Sequence, residues 1–337
     1  MGAGDTAESR ILKVGVTGTG AVASAYIRAL VPAGFDVRTF GLGSQPVMAH
    51  RALGPDWADS FTATNQLLLW HRDIDPFEDL SRFQAAVPHT QLDLSSLESW
   101  SQNPFSGLDA VILTAANPDS AQSLESATRN YDIDRYSIDH AVDAGAKVII
   151  YTSSVWRTME KLRDGSTDLI DPMKDRAPPP GVHYAEMKAR SVDFLRAKAE
   201  KYPGVVFIFN DHGWFPRETM GAPIENIDIQ SMQLWVAECE MQMHILKQLK
   251  FGEMRWLSIN RAKNSDARDS TNCYGFNMVS DNNPRKVDYP FPPGAQIPRF
   301  RYDLSSSRDI GALRDFNVFN VINGHYGSWR RIPAIGK

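Results

Sequence analysis

The residues that most restrict what this chain can fold into are 10–30, RILKVGVTGTGAVASAYIRAL. Residues 11–17 are a short run of aliphatic and β-branched side chains, the composition of a buried strand. Gly18-Thr19-Gly20 breaks the run, and from Ala21 to Leu30 apolar residues recur at helical spacing. Strand, glycine turn and helix in this order open a dinucleotide-binding βαβ unit. Gly18 permits the tight turn and Gly20 lets the backbone approach a diphosphate. The helix that starts at Ala21 and Val22 offers unpaired N–H groups and the positive end of its dipole. Ala23 stands where a third glycine would allow close helix–strand packing. An ordinary glycine-rich βα turn uses the same residue types, so the rest of the chain has to decide.

The next strands follow the same rhythm. Residues 35–40 read as a second strand running into Gly41-Leu42-Gly43. An NAD site places an acidic residue there to accept hydrogen bonds from the adenosine ribose; here the place falls on Gly41 or its neighbour. An NADP site wants a cation instead, and Arg38 and Arg51 are the candidates, so the cofactor stays NAD or NADP. Residues 49–87 are longer than an ordinary connection and read as an insertion with a helix. Residues 90–94 (TQLDL) are a third strand with Asp93 at its end, and 109–115 (DAVILTA) a fourth, apolar enough to be covered on both faces. A helix over about 121–144 contains Asn130. Residues 147–153 and 205–210 are the fifth and sixth strands. Six strands alternating with helices predict an α/β fold with a doubly wound parallel sheet.

The last third reads differently. Residues 229–250 predict a long amphipathic helix rich in Met (Met232, Met241, Met243), serving core or dimer packing. Residues 255–259 read as a seventh strand, followed by Asn- and Pro-rich loops and a short helix near 307–313. The expected organisation is a disordered N-terminus over 1–9, a dinucleotide-binding Rossmann domain over 10–215, and a mixed substrate-binding region over 216–337. Ligands of open α/β sheets lie in the crevice between such parts.

Composition narrows the partners. With a formal net charge of −4 and no basic run, the chain argues against nucleic acid and anionic membrane, leaving a small-molecule substrate. Cys239 and Cys273, far apart, suit neither a disulfide framework nor a metal site, and point to a reducing, cytoplasmic setting. No apolar stretch approaches ~20 residues, so neither a leader nor a membrane span is expected.

The second informative stretch is 180–198, PGVHYAEMKARSVDFLRAK, where Tyr184 and Lys188 are four residues apart and share a helix face. Alone, such a pair reads as a surface tyrosine and a solvated lysine. Its position after the fifth strand and Thr152-Ser153-Ser154 gives it more weight. Asp211, His212 and Trp214 follow the sixth strand, and Asn117 and Trp156 occupy similar loop mouths. Each is a candidate substrate or cofactor contact, and His212 taken alone reads as a hydrogen-bonded structural histidine. His183 reads as structural.

Taken together, the pieces resemble the extended short-chain dehydrogenase/reductase family, the nucleotide-sugar epimerases, dehydratases and their relatives. The likeness covers about residues 10–260. It rests on VTGTGAVA at the first turn, Asp93-Leu94 after the third strand, Ala115-Ala116 after the fourth, Asn130, YTSSV at the fifth strand and YAEMK. Uronate dehydrogenase-like members are nearest, through FNDHGWFP (209–216) and SDARDSTNCYGF (265–276). The resemblance implies NAD or NADP as cofactor and Tyr184 as general acid/base. Lys188 would lower the Tyr184 pKa and bind the nicotinamide ribose. Ser154, with Ser153 as understudy, would hydrogen-bond the reacting oxygen. Gly18, Thr19, Gly20, Ala21, Val22, Gly41, Ala115, Ala116, Asn130 and His212 would surround the cofactor, with Asp93 and Leu94 flanking its adenine. Asn117, Ser153, Trp156 and Trp214 would face substrate. A free tyrosine titrates near ~10, so work near neutrality needs about 4 kcal/mol of preferential phenolate stabilisation.

Three departures shape the expectation. The glycine turn is one residue shorter than the family's usual G-x-x-G-x-x-G. No acid closes the second strand. Where uronate dehydrogenases carry an arginine for the sugar carboxylate, the matching place is Gln230, which favours a neutral sugar, a polyol or another hydroxylated molecule. Val155-Trp156, in place of an Asp-Glu pair, argues against a dehydratase. Net dehydrogenase and epimerase stay open. The alternative is a catalytically silent nucleotide-sensing or scaffold protein on the same fold. In this family a two-helix face often forms a homodimer, and the helices bearing Asn130 and Tyr184 would supply it.

Overall fold

Among the described residues seven short strands carry the architecture, and the alternation of their side chains explains why helices cover both sides. The computed structural model describes residues 11–31, 33–43, 87–163, 166–214, 234–236, 238–261, 271–283 and 299–313, with positions 285, 294 and 297. The segment 1–9, almost all of the 49–87 insertion, Arg51, Met232 and Gln230 lie outside these residues. The strands are β1 (Lys13–Thr17), β2 (Asp36–Gly41), β3 (His89–Gln91), β4 (Ala110–Leu113), β5 (Val148–Thr152), β6 (Val206–His212) and β7 (Cys273–Met278). Their order is β3-β2-β1-β4-β5-β6-β7, and every neighbouring pair is parallel. This is a doubly wound, Rossmann-like sheet.

Along β4, β5 and β6 the faces alternate strictly. Ala110, Ile112, Val148, Ile150, Val206 and Ile208 join one core with Tyr26 and Leu30 of α1 (Ala21–Leu30). Met241, Ile245 and Leu249 of α4 (Glu238–Arg261) complete that core. Val111, Leu113, Ile149, Tyr151, Phe207 and Phe209 face the other way. They pack with Ile138 of α2 (Leu124–Asp143) and with Val192 and Leu195 of α3 (His183–Lys201). Burying each such side chain contributes roughly 1.5–3 kcal/mol, and a one-residue slip would reverse every face, so register is firmly set.

Several expectations need correction. The run 255–259 is not a strand but the last turns of α4. The helix runs unbroken from Glu238 to Arg261, and Asn260 donates back to the Trp256 carbonyl at 2.8 Å. The seventh strand is instead Cys273–Met278, which starts within the motif that carried the likeness to uronate dehydrogenases and runs two residues past it. The long helix therefore starts at Glu238 rather than 229, and residues 234–235 form a turn and a bridge. β3 ends at Gln91, which leaves Asp93 in the loop beyond it, whereas β6 runs on to include Asp211 and His212. The last short helix is Ser305–Asp309.

α4 and β7 follow residue 215 in sequence yet belong to the sheet layer. The reciprocal amide pair of Asn210 and Gln248, at 3.0 and 2.6 Å, ties α4 to β6. Beyond the carboxyl ends of the strands, Val155, Met159, Ile170, Leu234, Val279, Tyr302 and Leu304 form a separate small core. The parallel bridges Ile170–Tyr302 and Trp214–Trp235 stitch it together. Among the described residues, no helix is long and apolar enough to cross a membrane.

Candidate active site

The chain turns one way from β1 to β2 and β3, then crosses back to β4 on the other side of β1. At such a switch point the loops diverge and leave a crevice at the carboxyl ends of the strands. A cavity of about 410 Å³ opens there, lined by residues from four consecutive loops and α3. Thr17 holds its floor together: its hydroxyl accepts from the Thr114 and Ala115 amides at 3.1 and 3.3 Å, and its carbonyl accepts from the Thr114 hydroxyl.

The glycine turn forms one wall. Gly18 has φ +92°, and a Cβ there would lie 2.9 Å from the Ala115 backbone, so glycine is required by conformation and by space. Gly18→Ala should lower stability by about 1–3 kcal/mol, read as a lower urea midpoint at unchanged slope. An unchanged midpoint would mean that the turn has another shape. Around Gly20, by contrast, a Cβ would meet nothing within 4 Å. Gly20 is the N-cap of α1, gives no side-chain cap, and no acidic residue follows in the first turn. Gly20, Val22 and Ala23 line the cavity, so the start of α1 borders it with the positive end of the helix dipole, the arrangement a diphosphate needs. Gly41 serves the turn from behind: a Cβ there would lie 2.8 Å from the Thr19 methyl.

The opposite wall comes from β5 and α3. Ser153 and Ser154 are buried and line the cavity. Ser154 caps the 3₁₀ turn Val155–Thr158, accepting from the Trp156 amide at 3.3 Å. Tyr184 (7% exposed) and Lys188 (3% exposed), one turn apart on α3, line the same cavity. The Lys188 ammonium donates to the Thr152 carbonyl at 3.2 Å and to Asp134 Oδ2 on α2 at 3.4 Å. Asp134 Oδ2 also accepts from the Tyr151 and Ser191 hydroxyls, both at 2.7 Å. Burial pushes the Asp134 carboxyl above its ordinary range, and Lys188 opposes that shift.

His212 lines the far side of the cavity. Its Nδ1 lies 2.6 Å from the Gly213 carbonyl, so Nδ1 carries the proton. Nε2 is left as a buried acceptor without a hydrogen-bond partner among the described residues. Burial lowers the His212 pKa to about 4 and that of its neighbour His244, on α4, to about 3, so both rings are neutral at pH 7. Beneath the site, Asp211 forms a buried two-point ion pair with Arg157.

Of the residues singled out from sequence, the cavity gathers Gly20, Val22, Ala23, Ala116, Ser153, Ser154, Trp156, Tyr184, Lys188, His212 and Trp214. The others support it from outside. Asn130 accepts from the Asn117 amide at 2.8 Å and donates to the Asn117 carbonyl at 2.9 Å, clamping the loop after β4. Asn117 itself is exposed, as is His183. Asp93 closes a local turn by accepting from Ser95, which holds its carboxyl below the usual range. Leu94 belongs to the core with Phe40, Trp100 and Phe105. Ala115 packs beneath Gly18. Thr114, Pro118, Thr152 and Gly213 line the cavity without having been singled out. Asp134 and Arg157 also escaped the sequence reading. Asp134 had one readable signal: it lies four residues after Asn130, on the buried face of α2. Among the described residues no cluster of three or more His, Cys, Asp or Glu could hold a metal ion.

No protein-family model and no curated protein matches the chain. Solved structures do. Uronate dehydrogenase from Agrobacterium tumefaciens is 14% identical with a TM-score of 0.58, over 94% of this chain and 89% of that one. Glucuronic acid dehydrogenase from Chromohalobacter salexigens is 14% identical with a TM-score of 0.58, over 94% and 90%. UDP-N-acetylglucosamine 4-epimerase from Bacillus cereus is 14% identical with a TM-score of 0.57, over 95% and 99%. The described residues therefore share the Rossmann-like fold of these dehydrogenases and epimerases.

Proposed function

We propose that the chain is an NAD(P)-dependent oxidoreductase or epimerase of the extended short-chain dehydrogenase/reductase type. It acts on a hydroxyl or carbonyl of a sugar-like or other small polar molecule. One observation carries this reading: Tyr184, Lys188 and Ser154 line the same cavity as the uncapped start of α1. A silent nucleotide-binding protein has no need of a phenol, an ammonium and a hydroxyl gathered beside its dinucleotide seat.

The residues fit the cofactor. Gly20, Val22 and Ala23 would hold the diphosphate against α1, and the Lys188 ammonium has a third donor for a ribose hydroxyl. The orphaned His212 Nε2 suits the carboxamide N–H of a nicotinamide. When bound, the nicotinamide supplies hydride chemistry. Tyr184 exchanges the proton of the reacting hydroxyl, Ser154 holds the same oxygen, and Lys188 supports the charge that develops on the phenol. Trp156 and Trp214 give the substrate apolar walls. Among the described residues no arginine lines the cavity, which favours a neutral sugar or polyol over a sugar acid.

In this proposal residues 10–215 seat most of the dinucleotide, and the region after 216 closes over the substrate. The packed pair α2 and α3 would form a homodimer face. NAD or NADP is decided by fluorescence titration of NADH and NADPH into the purified protein: saturable binding of at least one is expected. Binding of neither would remove the oxidoreductase reading and leave the silent protein on the same fold.

A further inference from the structure

Asp134 is a fully buried carboxylate on a helix face that otherwise packs against the sheet. Such a group is tolerated only with a cation and full hydrogen bonding around it. Here a single oxygen, Oδ2, collects the Tyr151 hydroxyl, the Ser191 hydroxyl and the Lys188 ammonium. The ammonium stands over the Tyr151 ring, 4.8 Å from its centroid, and is anchored on its other side by the Thr152 carbonyl. Both ends of the ion pair are 3% exposed, so little solvent screens them.

We propose that Asp134 is a positioning residue: its carboxylate fixes the Lys188 ammonium between α2 and β5, and moderates the positive charge that this ammonium presents to Tyr184. The inference rests on the reading of Tyr184 as the proton-exchanging group. An ammonium facing a phenol favours phenolate, and a carboxylate 3.4 Å from that ammonium offsets part of its field. The groups that face Asp134 are Lys188 and Ser191 from α3 and Tyr151 from β5, and on its own helix Asn130 lies one turn before it. Tyr184 lies one turn before Lys188 on α3, and both side chains line the same cavity, which places the phenol beside the cluster. The site thus holds its lysine as one half of an ion pair, and the other half sets how much of that charge reaches the reacting proton.

Asp134→Asn tests this because it removes the charge and keeps an acceptor for Tyr151 and Ser191. In the oxidation direction, the acid limb of the pH–rate profile should move down by at least about one pH unit. Cofactor-free protein labelled with ζ-13C tyrosine should show the Tyr184 resonance, assigned by its loss in Tyr184→Phe, titrating at correspondingly lower pH. A folded Asp134→Asn with unchanged or upward midpoints would overturn the proposal and leave a purely structural ion pair. If that variant does not fold, the wild-type protein decides: the Asp134 side-chain carboxyl resonance should be that of a carboxylate at pH 7, and a protonated Asp134 would overturn the proposal. The NMR measurements need no cofactor, so a protein that binds neither NADH nor NADPH would remove the enzymatic reading while the role of Asp134 is still decided.

Discussion

Tyr184→Phe should lower turnover by at least ~100-fold while leaving dinucleotide affinity essentially unchanged, because the loss is that of general acid–base catalysis. The substitution deletes one hydroxyl from a ring that is already packed, with 7% of the residue exposed, so the helix face should keep its shape. Lys188 retains both of its partners, Thr152 and Asp134, and the seat at the start of α1 is untouched. Steady-state kinetics and NADH or NADPH titration on the same preparation separate the two effects. Wild-type turnover in the variant would remove Tyr184 from the mechanism; weakened cofactor binding with unchanged turnover would make the tyrosine a binding residue only.

Arg157→Met should destabilise the fold by about 3–5 kcal/mol, the loss that follows when one partner of a buried ion pair is removed. Arg157 is 1% exposed and its partner Asp211 is wholly buried. The guanidinium Nε donates to Asp211 Oδ1 at 2.9 Å, a second nitrogen donates to Oδ2, and further bonds reach the Pro172 and Asp175 carbonyls. Methionine would fill the stem and strand a carboxylate among Phe209 and its neighbours. Urea unfolding measures the change, and the double variant Arg157→Met/Asp211→Leu should recover most of it. The pH dependence has a fixed sign. Burial already lifts the Asp211 carboxyl above its usual range, so the folded state binds that proton more tightly than the unfolded chain. Without Arg157 the imbalance grows, and the variant should lose stability as pH rises through the raised Asp211 pKa. A loss below ~1 kcal/mol would mean that water reaches the pair. Because Arg157 lies in the 3₁₀ turn capped by Ser154, a loosened turn should also weaken the serine's contribution to the site.

Much of the sheet was legible because its signals are local. The β1 turn and α1 are written in one contiguous stretch, and the strands β4 and β5 are unbroken apolar runs that only a doubly covered sheet accommodates. The end of α4 was misread because Trp256, Leu257 and Ile259 are dense in strand formers, and the helical spacing is visible only when counted back to Met241. β7 was hidden by its glycine and asparagine, which survive in a strand because Phe209 fills the space above Gly275 and Asn277 donates to the Ile170 and Asp303 carbonyls. In the candidate site, Tyr184 and Lys188 were readable from a helical four-residue spacing. Arg157 was not, and Asp134 only through its place one turn after Asn130, since a charged residue is expected to face water until its partner, 54 residues away in each case, is brought to it by the fold.

The position of β7 has a consequence for synthesis. β6 pairs with β5 on one side, but its other edge waits for a strand that emerges from the ribosome more than 60 residues later. Until then the nascent chain carries an apolar ribbon with unsatisfied amides, a template for association with other chains. A product halted near residue 215 would keep the dinucleotide motif and still expose that ribbon, so the last quarter of the chain is needed to cover β6.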